Sequence, residues 1–391
     1  MLTKKTGARP HNILIMYISA VFGGMLFFLP ILALYFEKHL FTVTNIAWVF
    51  SIEAVAVVLF EAPTGAIADL FGRKLTMMLD YAVTLLSITF LYIGGSMYMF
   101  VAYAVCNALA MSLSSGAENA LIYDTLKEEG REHDYKKVIG IYYALWPAGG
   151  SIAAVIGGYL AESSLRAPIF ASFFPVVIAL VLLFFIKEPF YIKDGQKNIF
   201  KHIFISLKTV TTNTQLTILF VGGFLLYAFS ETIHLLNPLF FKFKEIPIVY
   251  FGYIFALSLI LSSFGLYLSH TISKRFGNKK TLIILVLLLS ISTIMATLTH
   301  QYIAALLLII PSFFVGLRNP IINHMINIEV ASNQRATVNS LSNLANKVGI
   351  IIFAPLVGYL AELYTINTAF QISGILLIAI PLIFLPLREK C

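Results

Sequence analysis

The chain has 391 residues, 59% of them hydrophobic and only 12% charged, with a mean hydropathy of +0.87. Soluble chains carry about 25% charged residues, so a water-soluble domain is excluded. The formal charge of +8 and pI near 9.2 must then be explained by membrane topology and anionic lipid rather than by nucleic acid.

The apolar residues fall in windows of about 20, the length that crosses a hydrocarbon core as helix. Twelve spans are predicted, centred near residues 24, 56, 85, 112, 151, 177, 228, 258, 290, 313, 348 and 376. The expected fold is an all-α polytopic membrane protein. The first 35 residues mimic a signal peptide, but no small-residue cleavage site follows, so an uncleaved first helix is expected. With the N-terminus inside, 21 of the 27 Lys and Arg residues fall in cytoplasmic segments. The positive-inside rule therefore predicts that both termini are cytoplasmic, in a cell (plasma or inner) membrane. The outer loops hold only Lys38, Arg166, Lys242 and Lys244, while Arg318 and Lys347 fall within spans.

Spans 2 and 3 are joined by Gly65-Ala66-Ile67-Ala68-Asp69-Leu70-Phe71-Gly72-Arg73-Lys74. A degraded copy, His270-Thr271-Ile272-Ser273-Lys274-Arg275-Phe276-Gly277-Asn278-Lys279, follows 205 positions later. Such an internal repeat implies two six-helix halves. The expected division is 1–187, a connector at 188–213, and 214–391.

A six-plus-six chain with this hinge resembles the major facilitator superfamily of secondary transporters. Gly65, Asp69, Gly72, Arg73 and Lys74 match the family's cytoplasmic signature, with Leu70 standing where a basic residue is usual. By that resemblance Asp69, Arg73 and Asp124 form a gating latch for the outward-facing state; the bland reading is ordinary positive-inside charge in a tight turn. Gly140, Gly149 and Gly157-Gly158 in span 5 resemble the glycine signature of proton-coupled antiporters, although Ala153 and Ala154 replace its Gly-Pro. Gly149, Gly157 and Gly158 are in any case expected to pack span 5 closely on a neighbour. The Arg that many antiporters carry in helix 4 is absent; Asn107 and Glu118 are the polar residues in that span.

Ionisable groups at bilayer depth usually face a cavity or a partner. Glu118 lies in span 4, Glu231 and His234 share one face of span 7, and Arg318 lies in span 10. The resemblance implies that helices 1, 4, 7 and 10 line the central cavity. Glu118, with Glu231 or His234, is the candidate proton carrier, and Arg318 is expected to exchange partners with Glu118 or to hold an anionic group. Glu53, Glu61 and Asp80 are expected to pair structurally. Neither Cys106 nor Cys391 indicates a disulfide, and no cofactor, metal or nucleotide-triphosphate signature occurs.

The expected function is alternating-access transport of a small organic solute, coupled to protons, in the direction of export. The alternatives are a proton-coupled importer or facilitator of an anionic or zwitterionic solute, and a sensor or scaffold that keeps the fold without flux. An enzyme is not expected. The expected partners are the solute, protons and membrane lipid, with no nucleic acid, and a monomer is favoured.

Overall fold

The structure is a computed structural model that describes residues 11–189, 208–331 and 334–389; the side chains of 62, 65–71 and 336 lie outside that description. Twelve helices are long and apolar enough to cross a membrane, which makes this a multi-pass membrane protein. The first half comprises α1 (Asn12–Gly24) and α2 (Leu32–Leu40), which form one span, then α3 (Val43–Phe71), α4 (Arg73–Ile93), α5 (Met97–Glu128), α6 (Tyr135–Ser163) and α7 (Ala167–Phe184). The second half runs α8 (Thr214–Phe243), α9 (Val249–Phe276), α10 (Asn278–Leu298), α11 (Gln301–Glu329), α12 (Arg335–Leu363), α13 (Ile366–Leu377) and α14 (Ile380–Phe384).

Helix starts follow local chemistry. Asn213 accepts the N–H groups of Gln215 at 2.9 Å and Leu216 at 3.3 Å, and Thr365 accepts that of Thr368 at 3.1 Å, as N-caps do. Span 1 breaks after Gly24, and Pro30 sits in a single tight turn at Leu29–Ile31. The freed N–H of Phe27 donates to Ser172 Oγ on α7 at 2.9 Å, so the break leaves that group satisfied. By contrast, Pro238, Pro320 and Pro355 stay inside unbroken α8, α11 and α12.

The two halves repeat each other down to side-chain bonds. Gly72 and Gly277 turn the chain into α4 and α10 with φ of 102° and 83°, a region that suits glycine. Glu188 accepts the N–H groups of Arg73 at 2.6 Å and Lys74 at 2.9 Å, capping α4. In the second half the Glu389 carboxylate stands where a Cβ on Gly277 would fall. Lys74 Nζ donates to the Phe184 carbonyl and Lys279 Nζ to the Leu385 carbonyl. Asn12 Oδ1 accepts the N–H of Lys187 at 3.1 Å, and Gln215 Oε1 accepts that of Arg388 at 2.7 Å.

The halves meet through α3 against α12 and α6 against α9, two seams related by the same repeat. Among the described residues the bonds that cross are Glu37–Lys242 (2.9 Å), Thr44 N to Glu362 Oε1 (3.0 Å), Ser51 Oγ to the Ile350 carbonyl (3.4 Å), the Tyr159 and Tyr253 hydroxyls (2.6 Å) and Ser151 Oγ to the Ala256 carbonyl (3.5 Å). The Ser151 bond is mid-span, and the others lie toward the end away from the hinges at Gly72 and Gly277. Nearer the hinges the described contacts stay within a half: Tyr17 bonds the Val138 carbonyl, Asn119 bonds Tyr143, and Gly265 and Gly316 press α9 onto α11.

Candidate functional site

A cavity of about 360 Å³ lies between the halves. Phe28, Phe50, Tyr103 and Trp146 wall it from the first half, and Phe241, Phe251 and Phe255 from the second. Its polar groups also come from both sides: Glu53 and Asn107 face Glu231 and His234. Asn107 Nδ2 donates to Glu53 Oε1 at 3.1 Å, which fixes the carboxylate against the wall. His234 is exposed to the cavity and tilts on Phe255 with ring centroids 5.9 Å apart. The three-residue spacing places Glu231 and His234 together, as the sequence indicates.

Glu53 is the residue that sequence reasoning undervalued, since it reaches the cavity and lies within electrostatic range of Glu231 and of Lys347 on α12. Glu61 is nearer the hinge and also within electrostatic range of Lys347. The cavity wall differs from expectation at one helix. In the second half α9 joins α8, whereas α11 contributes no residue to this cavity.

Glu118 and Arg318 are not brought together. Glu118 sits two turns past the cavity residue Met111 on α5, where the Tyr142 hydroxyl and the buried Asp80 carboxyl are both within electrostatic range. Tyr81, beside this pair, donates to the Ser19 carbonyl at 3.1 Å. Four helices of the first half thus enclose a carboxylate–tyrosine cluster. Arg318, only 3% exposed, donates to Ser230 Oγ at 2.7 Å and Asn319 Oδ1 at 3.1 Å, and lies over the Tyr227 ring at 4.8 Å. Its charge is absorbed inside the second half.

At the hinge, Arg73 Nε stands 3.8 Å from Asp124 Oδ2, which ties the α3–α4 turn to α5. Gly72 supplies the turn, and Lys74 caps the end of α7. Gly65 and Asp69 lie in α3, where the side chains of 65–71 are outside the description, as is Cys391 altogether; Cys106 is free. Glu188, assigned from sequence to the connector, instead caps α4. A signal exists in retrospect: Ile186-Lys187-Glu188 and Leu387-Arg388-Glu389 end the last apolar run of each half alike.

The glycines of α6 serve two neighbours. A Cβ on Gly149 or Gly157 would run into the carbonyls of Val21 and Phe27, so these two seat α6 on span 1. Gly158 instead meets the Val249 carbonyl and Gly252 of α9, across the seam between halves. Gly140 faces open space.

The family model described as Major Facilitator Superfamily matches residues 13–353 and, a second time, residues 219–390. The chain belongs to the major facilitator superfamily. It is 24% identical over 352 residues to Multidrug resistance protein 1 of Bacillus subtilis (strain 168), covering 87% of this chain and 86% of that one. An uncharacterised MFS-type transporter of the same organism is 23% identical over 394 residues, covering 95% and 94%. Among solved structures, the nucleoside transporter NupG superposes with a TM-score of 0.80 at 16% identity, covering 96% and 97% of the two chains. A D-xylose–proton symporter does so with a TM-score of 0.75 at 13% identity, covering 97% and 98%. These two likenesses establish the fold. The protein is a membrane transporter of this superfamily, not an enzyme.

Proposed function

We propose that this transporter exports a small amphipathic organic solute by alternating access, driven by protons moving the opposite way. The observation that carries the proposal is the central cavity: Glu53 held by Asn107 on one half faces Glu231 and His234 on the other, within aromatic walls. Two carboxylates among aromatic faces favour a solute with a positive charge and an apolar body. Among the described residues the bonds between halves lie from mid-span to the end away from the hinges, which suits one of two alternating states.

Placing the hinge end in the cytoplasm follows the 21 basic residues, with both termini inside and the protein in the cell membrane. The described state then opens inward, where an exporter loads. Arg73 and Asp124, with Asp69, form the latch of the opposite state. Glu118 carries the proton: it is set apart from the solute cavity, with a tyrosine able to pass the proton on. One chain suffices for the whole path, so a monomer in lipid is the working unit. The name of the multidrug-resistance relative supports export. Uptake of an anion through Arg318 is less well supported, because its guanidinium is occupied by Ser230, Asn319 and Tyr227.

The test uses proteoliposomes with an inside-acid pH gradient, a pH dye and a panel of organic cations, neutral compounds and organic acids. Collapse of the gradient by cations, lost in Glu118→Gln, is the expected result. Radiolabelled counterflow without any effect on the gradient would replace coupled export by facilitation. No flux in either assay would leave the sensor or scaffold reading in its place.

A further inference from the structure

Behind Glu231 and His234 lies a second chamber of about 170 Å³, enclosed by α8, α9, α10 and α11 within the second half. It shares Glu231, His234, Asn237, Phe255 and Ser258 with the central cavity, so the two adjoin. Their linings differ. The central cavity is aromatic, while the chamber adds the hydroxyls of Ser230, Ser262, Thr293 and Ser312.

The direction of the hydroxyl protons sets what the chamber can bind. Ser258 Oγ, on the wall common to both spaces, donates to the Ile254 carbonyl at 2.9 Å, whereas Thr293, which donates to the Leu289 carbonyl at 2.8 Å, is fully buried behind the chamber wall. Ser230 Oγ, which donates to the Tyr227 carbonyl at 3.2 Å, already accepts from Arg318 at 2.7 Å and is not among the free acceptors. A hydroxyl that gives its one proton to its own helix keeps only lone pairs for a ligand. Asn237 Oδ1, on the wall common to both spaces, is buried and has no hydrogen-bond partner. With the Glu231 carboxylate beside it, the lining is rich in acceptors.

We infer that this chamber is the subsite for a primary or secondary ammonium head, whose apolar body rests in the aromatic cavity. The inference rests on the proposal that the central cavity takes amphipathic cations, and narrows it. An ammonium with two or three N–H groups matches a shell of acceptors, and each unmatched acceptor in a buried site is costly. A quaternary ammonium carries the same charge but no donor, so it is held by the aromatic walls alone.

The decisive experiment is calorimetric titration of the purified full-length protein in detergent with naphthylethylamine and with its N,N,N-trimethyl analogue. At neutral pH both are cations of the same body. The primary amine is expected to bind roughly tenfold or more tightly, the scale of charge-assisted hydrogen bonds. Ser262→Leu, which fills the chamber, should reduce the primary amine to the affinity of its analogue while leaving the analogue unchanged. Equal affinities in the wild type, or a preference that survives Ser262→Leu, would overturn the inference and leave cation binding intact. If that variant binds neither probe, Ser258→Ala decides: it removes an accessible acceptor without filling the chamber, so a weakened preference supports the subsite and an undiminished one overturns it. Failure of the wild type to bind either cation would instead overturn the cation reading itself, and the subsite with it.

Discussion

Glu188 accepts the backbone N–H of Arg73 at 2.6 Å, and the same carboxylate takes the N–H of Lys74 at 2.9 Å. Residues more than 110 positions apart in sequence thus share one helix N-terminus, where orphan donors and the helix dipole both favour an anion. The cap fastens the hinge of the first half to the end of its last helix. Glu389 stands at the matching place beside Gly277.

Glu188→Ala is therefore expected to destabilise the first half by about 1–2 kcal/mol, the usual worth of an N-cap. Glu188→Gln should cost less, since an amide oxygen still accepts. Thermal unfolding in detergent, followed by far-UV circular dichroism, reads the order Ala below Gln below wild type. An unchanged midpoint for the alanine variant would show that the cap carries no stability.

The glycines of α6 predict two different phenotypes from one type of substitution. Gly157→Ala drives a methyl into the Phe27 carbonyl within the first half, so folded yield should fall, with overpacking worth about 1–3 kcal/mol. Gly158→Ala meets the Val249 carbonyl across the seam between halves. It should leave both halves folded and shift the protein toward the state open at the far end. Labelling of a Tyr159→Cys reporter by a membrane-impermeant maleimide measures this: faster labelling in the Gly158 variant is expected, and equal rates would contradict it.

Arg318→Ala should act through stability rather than selectivity. The guanidinium packs over Tyr227 at 4.8 Å and donates to Ser230, and a desolvated cation–π contact is worth about 2 kcal/mol. The unfolding midpoint is expected to drop, with partial recovery in Arg318→Lys. Relative transport of cationic and anionic solutes should stay the same. A switch in charge preference would return Arg318 to the role of solute ligand.

Much of this architecture is legible in the sequence because lipid leaves the backbone no choice but helix. The twelve spans, the repeated hinge and the common face of Glu231 and His234 all follow from local spacing. Contacts between distant helices do not. Whether Glu118 meets Arg318 depends on helix rotation and on which half each joins, and the two side chains settle with Tyr142 and with Tyr227. Glu53 reads as a structural acid until Asn107 on a neighbouring helix is seen to hold it at the cavity. The carboxylate of Glu188 looks like part of a polar connector because its partners are backbone groups, which leave no mark on the sequence.

Transport requires the two halves to part at the end where they now touch. A Cβ built on Gly358 would stand 2.9 Å from the Ala47 Cβ across the α3–α12 seam, shorter than the roughly 3.5–4.5 Å of a cystine, so a small outward shift of the helices brings the pair to disulfide range. In a Cys106→Ser, Cys391→Ser background, an Ala47→Cys, Gly358→Cys pair can therefore be oxidised in proteoliposomes while solute flux is followed. Oxidation should abolish flux and a reductant should restore it. Undiminished flux with the disulfide fully formed would contradict alternating access about this cavity.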